Sequence, residues 1–226
     1  MHRIKWLLRK AEQILQADGS IPLVKRGFPF VVRHFFRYFK YNQYYIYDYA
    51  VDDILKLNAA DFMPKIDSFT LKIVSTNEES DELEAEGLEF RSQVINSRER
   101  LDKGAVAFCI FVDNTLVHIG WVVMTQQAKD SLDEPPYRVD FSERKGCTAG
   151  IWTSAGFRRK GLSSYGYMKR LRFMLHNGIL IDRTAVNKRN VVGHEYQTRL
   201  SCSVCGEGRY LRVLWWRSWK ERPLAQ

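Results

Sequence analysis

The chain has 226 residues, enough for one large domain or one domain plus an extension. Apolar residues make up 45% and aromatics 13%, which supports a sizeable core. No run of eighteen apolar residues, which a transmembrane helix requires, occurs. Thirty-five basic against 26 acidic residues leave a net charge of +9, a balance that favours anionic partners such as nucleic acid, a membrane surface or a phosphorylated cofactor. Four cysteines, Cys109, Cys147, Cys202 and Cys205, form no disulfide framework in a chain this long, and no secretory signal is apparent, so a cytoplasmic setting is expected.

Taken in chain order, residues 2–17 carry Ile4, Leu7, Leu8, Ala11, Ile14 and Leu15 at helical spacing among Arg3, Lys5, Arg9 and Lys10. A second basic amphipathic stretch, residues 30–40, follows Pro29 and has Val31, Val32, Phe35, Phe36 and Phe39 apolar. Both stretches have the pattern of helices that lie on an anionic membrane, and both could equally cover a domain with their apolar faces, which is the expectation here. Tyr44 to Tyr49 is aromatic and extended. Residues 1–66 are thus expected to form an N-terminal helical and aromatic extension, and residues 67–226 the main domain.

From Phe69 the pattern is regular. Phe69 to Ile73 alternates as a strand. A helical region is expected over 79–103, acidic at its start and stopped by Gly104. Residues 105–112 and 115–124 read as two strands joined by a tight turn at Asp113-Asn114. A polar insert with Pro135-Pro136 precedes a strand at 148–153. The helix from Leu162 to His176 carries Leu162, Tyr165, Met168, Leu171 and Leu175 on one side and ends at Gly178. A strand over 179–186, a helix over 191–200 and one or two strands over 210–219 complete the order.

The most informative stretch is Arg158-Arg159-Lys160-Gly161-Leu162-Ser163, a basic turn between a strand and a helix N-terminus. The first helical N–H groups have no partner inside the helix and carry partial positive charge. Such a turn is built for a phosphate group, with Gly161 allowing close approach of the backbone. It lacks the three-glycine spacing of a dinucleotide fold and the Gly-Lys-Ser/Thr ending of a P-loop.

The segment Phe157 to Ser163, F-R-R-K-G-L-S, resembles the R/Q-x-x-G-x-G/A acyl-CoA loop of the GNAT superfamily of acetyl-CoA-dependent N-acyltransferases. Arg158 takes the first place and Gly161 the first glycine place, and Ser163 stands where Gly or Ala is usual. Downstream, Asn190 followed by Arg199-Leu200 is similar to the strand-end Asn and K/R-L-G-F helix ending of that family, with Ser201 and Cys202 in place of Gly and Phe. The resemblance covers roughly residues 69–220. It implies an α/β (α+β) fold, a mixed and mostly antiparallel sheet flanked by helices, in which the strand before the loop splays from its neighbour. It further implies acetyl-CoA as acyl donor and a small-molecule or peptide amine as acceptor; no nucleic acid is expected as partner. The competing class is a non-catalytic binding module that uses the GNAT fold and the basic helices on a membrane surface or nucleic acid. Arg158, Arg159, Lys160, Gly161, Leu162 and Ser163 would hold the pyrophosphate. Ile151, Trp152, Thr153 and Asn190 would hold the pantetheine, and a backbone N–H in 151–153 would polarise the thioester carbonyl.

The proton-handling residues are less marked. A Tyr on the helix after Asn190 is the usual thiolate-protonating acid in the family. By spacing that position is Gln197, while Tyr196 sits one residue earlier, ~100° around the helix. His194, with an ordinary pKa near ~6.5, is a second candidate acid. Glu143, Asp140 and His118 are the candidate bases. Cys202-x-x-Cys205 has zinc spacing but no second matching pair, so no metal is expected. Trp215 and Trp219, at strand spacing, would share one face and Trp216 the other, for core packing or a subunit contact. An oligomer is compatible with these features.

Overall fold

The structure, a computed structural model, describes residues 39–132, 135–200 and 202–224. The two basic amphipathic stretches expected over 2–17 and 30–40 therefore lie outside the described residues, apart from the last two positions of the second. Eight strands form one sheet in the order β2-β3-β4-β5-β6-β1-β7-β8. They are β1 Phe39–Ala50, β2 Thr70–Val74, β3 Val106–Val112, β4 Thr115–Val123, β5 Lys145–Thr153, β6 Ile181–Asn187, β7 Ser203–Val213 and β8 Trp216–Pro223. Pairs β2–β3, β3–β4, β4–β5 and β1–β6 are antiparallel, and β5–β6 is parallel. Five helices are described: α1 Asn77–Ala85, α2 Ser97–Asp102, α3 Gln126–Asp130, α4 Leu162–His176 and α5 Val191–Arg199. Among the described residues no helix is long and apolar enough to cross a membrane.

The chain divides into two compact units, residues 43–208 with 219–226, and residues 1–42 with 209–218. In the first, residues 43–50, grouped by sequence with the N-terminal extension, lie in β1 of the sheet, and residues 51–66 follow as turns. Tyr44 to Ala50 of β1 pairs with Asn187 to Ile181 of β6, and Val51 and Ile54 of the following 3₁₀ turn are buried beside α4. In the second unit the described part is the start of β1 and the tip of the β7–β8 hairpin. Leu214 takes φ +57° there, and Trp215 is exposed at the turn, so Trp215 and Trp219 do not share a strand face. Trp219, in the first unit, packs on Tyr44 with ring centroids 5.7 Å apart.

Period-two alternation sorts the central strands onto two cores. Ala107, Cys109 and Phe111 of β3 join Ile119, Trp121 and Val123 of β4 against Leu83, Leu88, Phe90 and Leu101 from α1, α2 and their connection. Val106, Phe108 and Ile110 face the other way, with Val117 and Val122, against Leu162, Tyr165, Met168, Leu171 and Met174 of α4. Burial of both faces explains why β3 reads as a continuous apolar run. The turn between β3 and β4 has Asp113 at φ +47° and Asn114 at φ +60°, the type I′ geometry that matches strand twist.

The single helix expected over 79–103 is instead α1 and α2. Gly87 at φ +81° ends α1, and the Leu88 N–H turns back to the Leu83 carbonyl at 2.8 Å. Thr76 caps α1 by accepting from the Glu79 N–H at 3.2 Å.

Close packing of α4 on β4 depends on Gly120. A Cβ there would stand 2.1 Å from Nη1 and 2.6 Å from Cζ of Arg170, whose fully buried side chain would have to shift. Gly120→Ala should therefore destabilise the fold by about 1–3 kcal/mol, read as a lower urea midpoint at unchanged slope. An unchanged midpoint would mean that Arg170 has room to withdraw.

Candidate active site

β5 and β6 run parallel, and they pair at Lys145–Ile181 and Gly146–Asp182. Beyond that β5 stays with β4 to Thr153, while β6 stays with β1 to Asn187. A gap therefore opens between residues 149–153 and 183–187, with Thr184 Oγ1 reaching the Thr148 carbonyl at 3.5 Å near its base. The cause is local. Trp121 faces Ala149 and Ile119 faces Trp152, so Gly150 and Ile151 on β5 together oppose Gly120 on β4. Gly150 has φ +58°, the left-handed first position of a bulge that bends its strand. The Ser154 N–H bonds the Val117 carbonyl at 2.9 Å, so by strand alternation the Thr153 N–H is directed to the other edge, into the gap. Ile151 and Trp152 are half-exposed there.

The polypeptide runs from this gap into the basic turn. Gly161, at φ +85°, is the N-cap of α4 and supplies no side-chain acceptor to the N–H groups of the first turn. Arg158, Arg159 and Lys160 are exposed around that end, and Arg158 Nε donates to the Thr153 carbonyl at 3.3 Å. The Lys65 N–H holds the Lys160 carbonyl at 2.9 Å, and a Cβ at Gly161 would lie 3.4 Å from Pro64 Cα. The turn is thus tethered from outside, and the helix end stays open to an anion.

Beneath the gap lies a buried polar network that the sequence reading missed. Asp182 accepts from the Thr148 N–H at 2.9 Å, the Thr148 hydroxyl at 3.0 Å and the Tyr167 hydroxyl at 2.6 Å. Burial pushes its carboxyl above the usual range, and these donors oppose that rise. Arg170 of α4 is fully buried, its guanidinium centre is 5.7 Å from the Tyr167 ring, and among the described residues none of its three nitrogens finds a hydrogen-bond acceptor. His118 is also fully buried, with Nδ1 2.8 Å from Thr153 Oγ1 and Nε2 unpartnered. Burial first, then the nearby Arg170 charge, lower the His118 pKa to about 3, so the ring is neutral at neutral pH.

The other predicted residues fall as follows. Tyr196 turns toward this network. Its ring meets Tyr167 edge-on at 5.3 Å, its hydroxyl is buried without a hydrogen-bond partner among the described residues, and burial raises its pKa well above the ordinary value. The adjacent Gln197 is buried as well. Both ring nitrogens of His194 are engaged, Nδ1 with the Tyr47 hydroxyl at 2.9 Å and Nε2 with the Asn187 carbonyl at 3.0 Å, which fixes the ring as a link between α5, β1 and β6. Asn190 caps α5, accepting from the Gly193 N–H at 3.1 Å. Glu143 pairs with Lys145 at 2.7 Å just before β5 begins. At ~3.3 Å per residue that end of the strand is roughly 25 Å from Thr153, so Glu143 and its neighbour Asp140 stand at the wrong end of β5 to reach the open part of the gap. Of the candidate bases only His118 adjoins it. Cys205 Sγ donates to the Ile46 carbonyl at 3.4 Å, and burial pushes the Cys202 thiol up to about 12. Among the described residues no group of three His, Cys, Asp or Glu side chains is placed to hold a metal ion.

No protein-family model matches this sequence, and no curated protein matches it. Solved structures do match in fold. A GCN5-related glucosamine N-acetyltransferase region of a fungal multi-domain GH3 β-N-acetylglucosaminidase superposes with a TM-score of 0.52 at 12% identity, over 86% of this chain and 23% of that one. A tandem GNAT protein from the clavulanic acid biosynthesis pathway gives 0.47 at 15% identity, over 82% and 54%. A GCN5-related N-acetyltransferase from Kribbella flavida gives 0.44 at 16% identity, over 83% and 63%. This chain spans less than two thirds of the length of each. The first of these likenesses, together with the parted parallel pair inside a mostly antiparallel sheet, defines a GNAT-type fold.

Proposed function

We propose that the chain is an acyl-CoA-dependent N-acyltransferase that moves an acetyl group from acetyl-CoA to a primary amine. The observation that carries this is the continuity of two features: a strand edge freed by the Gly150 bulge, and a basic, uncapped helix N-terminus eight residues beyond Thr153. A long ligand with an anionic end and an amide-bearing arm fits both together. The first-turn N–H groups of Leu162 and Ser163, with Arg158, Arg159, Lys160 and Gly161, would bind a pyrophosphate. The free edge of Ile151, Trp152 and Thr153 would pair with the arm as an added strand does, and the exposed Ile151 and Trp152 side chains supply apolar cover. Asn190 serves this site by starting α5 at the end of β6. The donor thioester supplies an activated acyl carbonyl. The protein would supply the Thr153 N–H, fixed before reaction where negative charge develops, and would hold the two reactants together.

The test is ligand-linked stability. Acetyl-CoA at about a hundred times its dissociation constant should stabilise the protein by ~2.7 kcal/mol. Ser163→Glu is the informative variant. A carboxylate in the first turn of α4 should hold or raise the ligand-free stability by ~0.3–1 kcal/mol, yet repel a pyrophosphate and abolish the shift. No shift in the wild type, or an equal shift in the variant, rejects the reading. Binding without thioester turnover against a panel of primary amines would leave a non-catalytic CoA-binding module instead.

A further inference from the structure

A neutral imidazole has one N–H and one lone pair, and the environment decides which nitrogen carries which. His118 Nδ1 is bonded to Thr153 Oγ1 at 2.8 Å. Its Nε2 is sealed from solvent and faces the Arg170 side of the chamber. A Cβ at Gly166 would stand 2.8 Å from His118 Nε2 and 3.2 Å from Arg170 Nη1, so both atoms crowd the same small volume. An N–H on Nε2 would find no acceptor among the described residues, and the Arg170 guanidinium charge acts on this ring. A lone pair on Nε2 is favoured there, because it faces a positive group that has unmet donors of its own. The proton then belongs on Nδ1, where it is donated to Thr153 Oγ1.

This settles the Thr153 hydroxyl. Its oxygen then accepts from His118, so its own proton is not given to that ring and is left to point elsewhere. The residue stands at the free end of β5, half-buried, with its backbone pinned by the Arg158 and Ser154 hydrogen bonds and its N–H directed into the gap. We propose that the Thr153 hydroxyl is a catalytic hydrogen-bond donor to the thioester carbonyl oxygen of the acyl donor, and that His118 and Arg170 are positioning residues that fix the direction of its proton. The inference rests on the acyltransferase reading above. Thr153 keeps its proton throughout. The amine nitrogen forms the new C–N bond, the C–S bond breaks with its electron pair on sulfur, and the proton shed by nitrogen ends on that sulfur.

Two measurements test this. The first uses the protein alone: ¹⁵N NMR of the histidine rings should show His118 protonated at Nδ1 and bare at Nε2, and the opposite tautomer overturns the proposal whatever the protein binds. The second uses carbonyl-labelled [1-¹³C]acetyl-CoA and needs no acceptor. Its bound C=O stretch should move to higher frequency in Thr153→Val, which removes the hydroxyl at nearly constant shape, and stay at the wild-type value in Thr153→Ser. Acetyl-CoA affinity should be unchanged in both. With an accepted amine, kcat of Thr153→Val should fall about 100-fold at unchanged KM and recover in Thr153→Ser. Retained binding with an unshifted carbonyl in Thr153→Val overturns this inference and leaves the acyltransferase reading standing. Absence of acetyl-CoA binding in the wild type overturns both.

Discussion

Asp182→Ala should destabilise the protein by about 3–5 kcal/mol, one of the largest effects expected of any single substitution here. Asp182 has no exposed surface and accepts three hydrogen bonds that join β5, β6 and α4. It is also the carboxylate whose charge acts on Arg170, itself fully buried with no acceptor for its nitrogens among the described residues. Truncation therefore strands two hydroxyl groups, a backbone N–H and an uncompensated buried cation. The cost is chiefly that of what is left unpaired, and this gives the prediction its second part. Arg170→Met on its own removes the buried cation and keeps most of the volume. In the Asp182→Ala background it should recover a measurable part of the loss, so the pair should be non-additive in a double-mutant cycle from urea unfolding. Additive losses would mean that the two charges do not sense one another.

Much of the frame was legible from the residues. The β3–β4 hairpin announced itself through an unbroken apolar run and Asp113-Asn114, because burial on both faces and a type I′ turn each restrict composition strongly. The basic turn at the start of α4 was equally open to reading, since Gly161 and its flanking cations are contiguous. The gap beside it was signalled only by resemblance, although Gly150 inside a strand pattern is the mark of a bulge. Two features were hidden because they depend on distant partners. A strand over 44–49 is a local property, but its place between β6 and β7 is decided by pairing across more than a hundred residues. Arg170 falls between Tyr167 and Met174 at helical spacing, in line with an apolar stripe, and a charge in such a place ordinarily reads as solvated. Asp182 at the start of a strand reads the same way. Only the packing of α4 over β5 and β6 turns both into a buried pair. Tyr196, one residue from the position the resemblance marks, turns its ring to Tyr167 and the interior, a placement set by packing that its spacing alone does not give.

The pH dependence of stability should carry the signature of His118. Its pKa is about 3 in the folded protein against an ordinary ~6.5, because it is fully buried on β4, faces the Arg170 guanidinium on α4, and bonds Thr153 on β5. The folded state therefore keeps the ring neutral while the unfolded chain takes up a proton below pH ~6.5. In that interval the unfolded state binds more protons, so stability rises with pH. The contribution of His118 is complete above pH ~6.5 and is lost as the pH falls toward 3, at ~1.4 kcal/mol per pH unit and roughly 5 kcal/mol in all. Asp182 acts in the opposite sense. Its folded pKa is raised, so its contribution is full below the ordinary carboxylate value and declines as the pH rises through the folded one. The two overlap in mildly acidic solution, and the bare profile does not separate them. The difference between wild type and His118→Gln does. Glutamine can still reach Thr153 with its amide but does not titrate, so the gap between the two stability curves should shrink steadily from pH 6.5 to pH 4. Parallel curves over that range would show that His118 is protonated in the folded protein, and with it that the imidazole does not present a lone pair to Arg170.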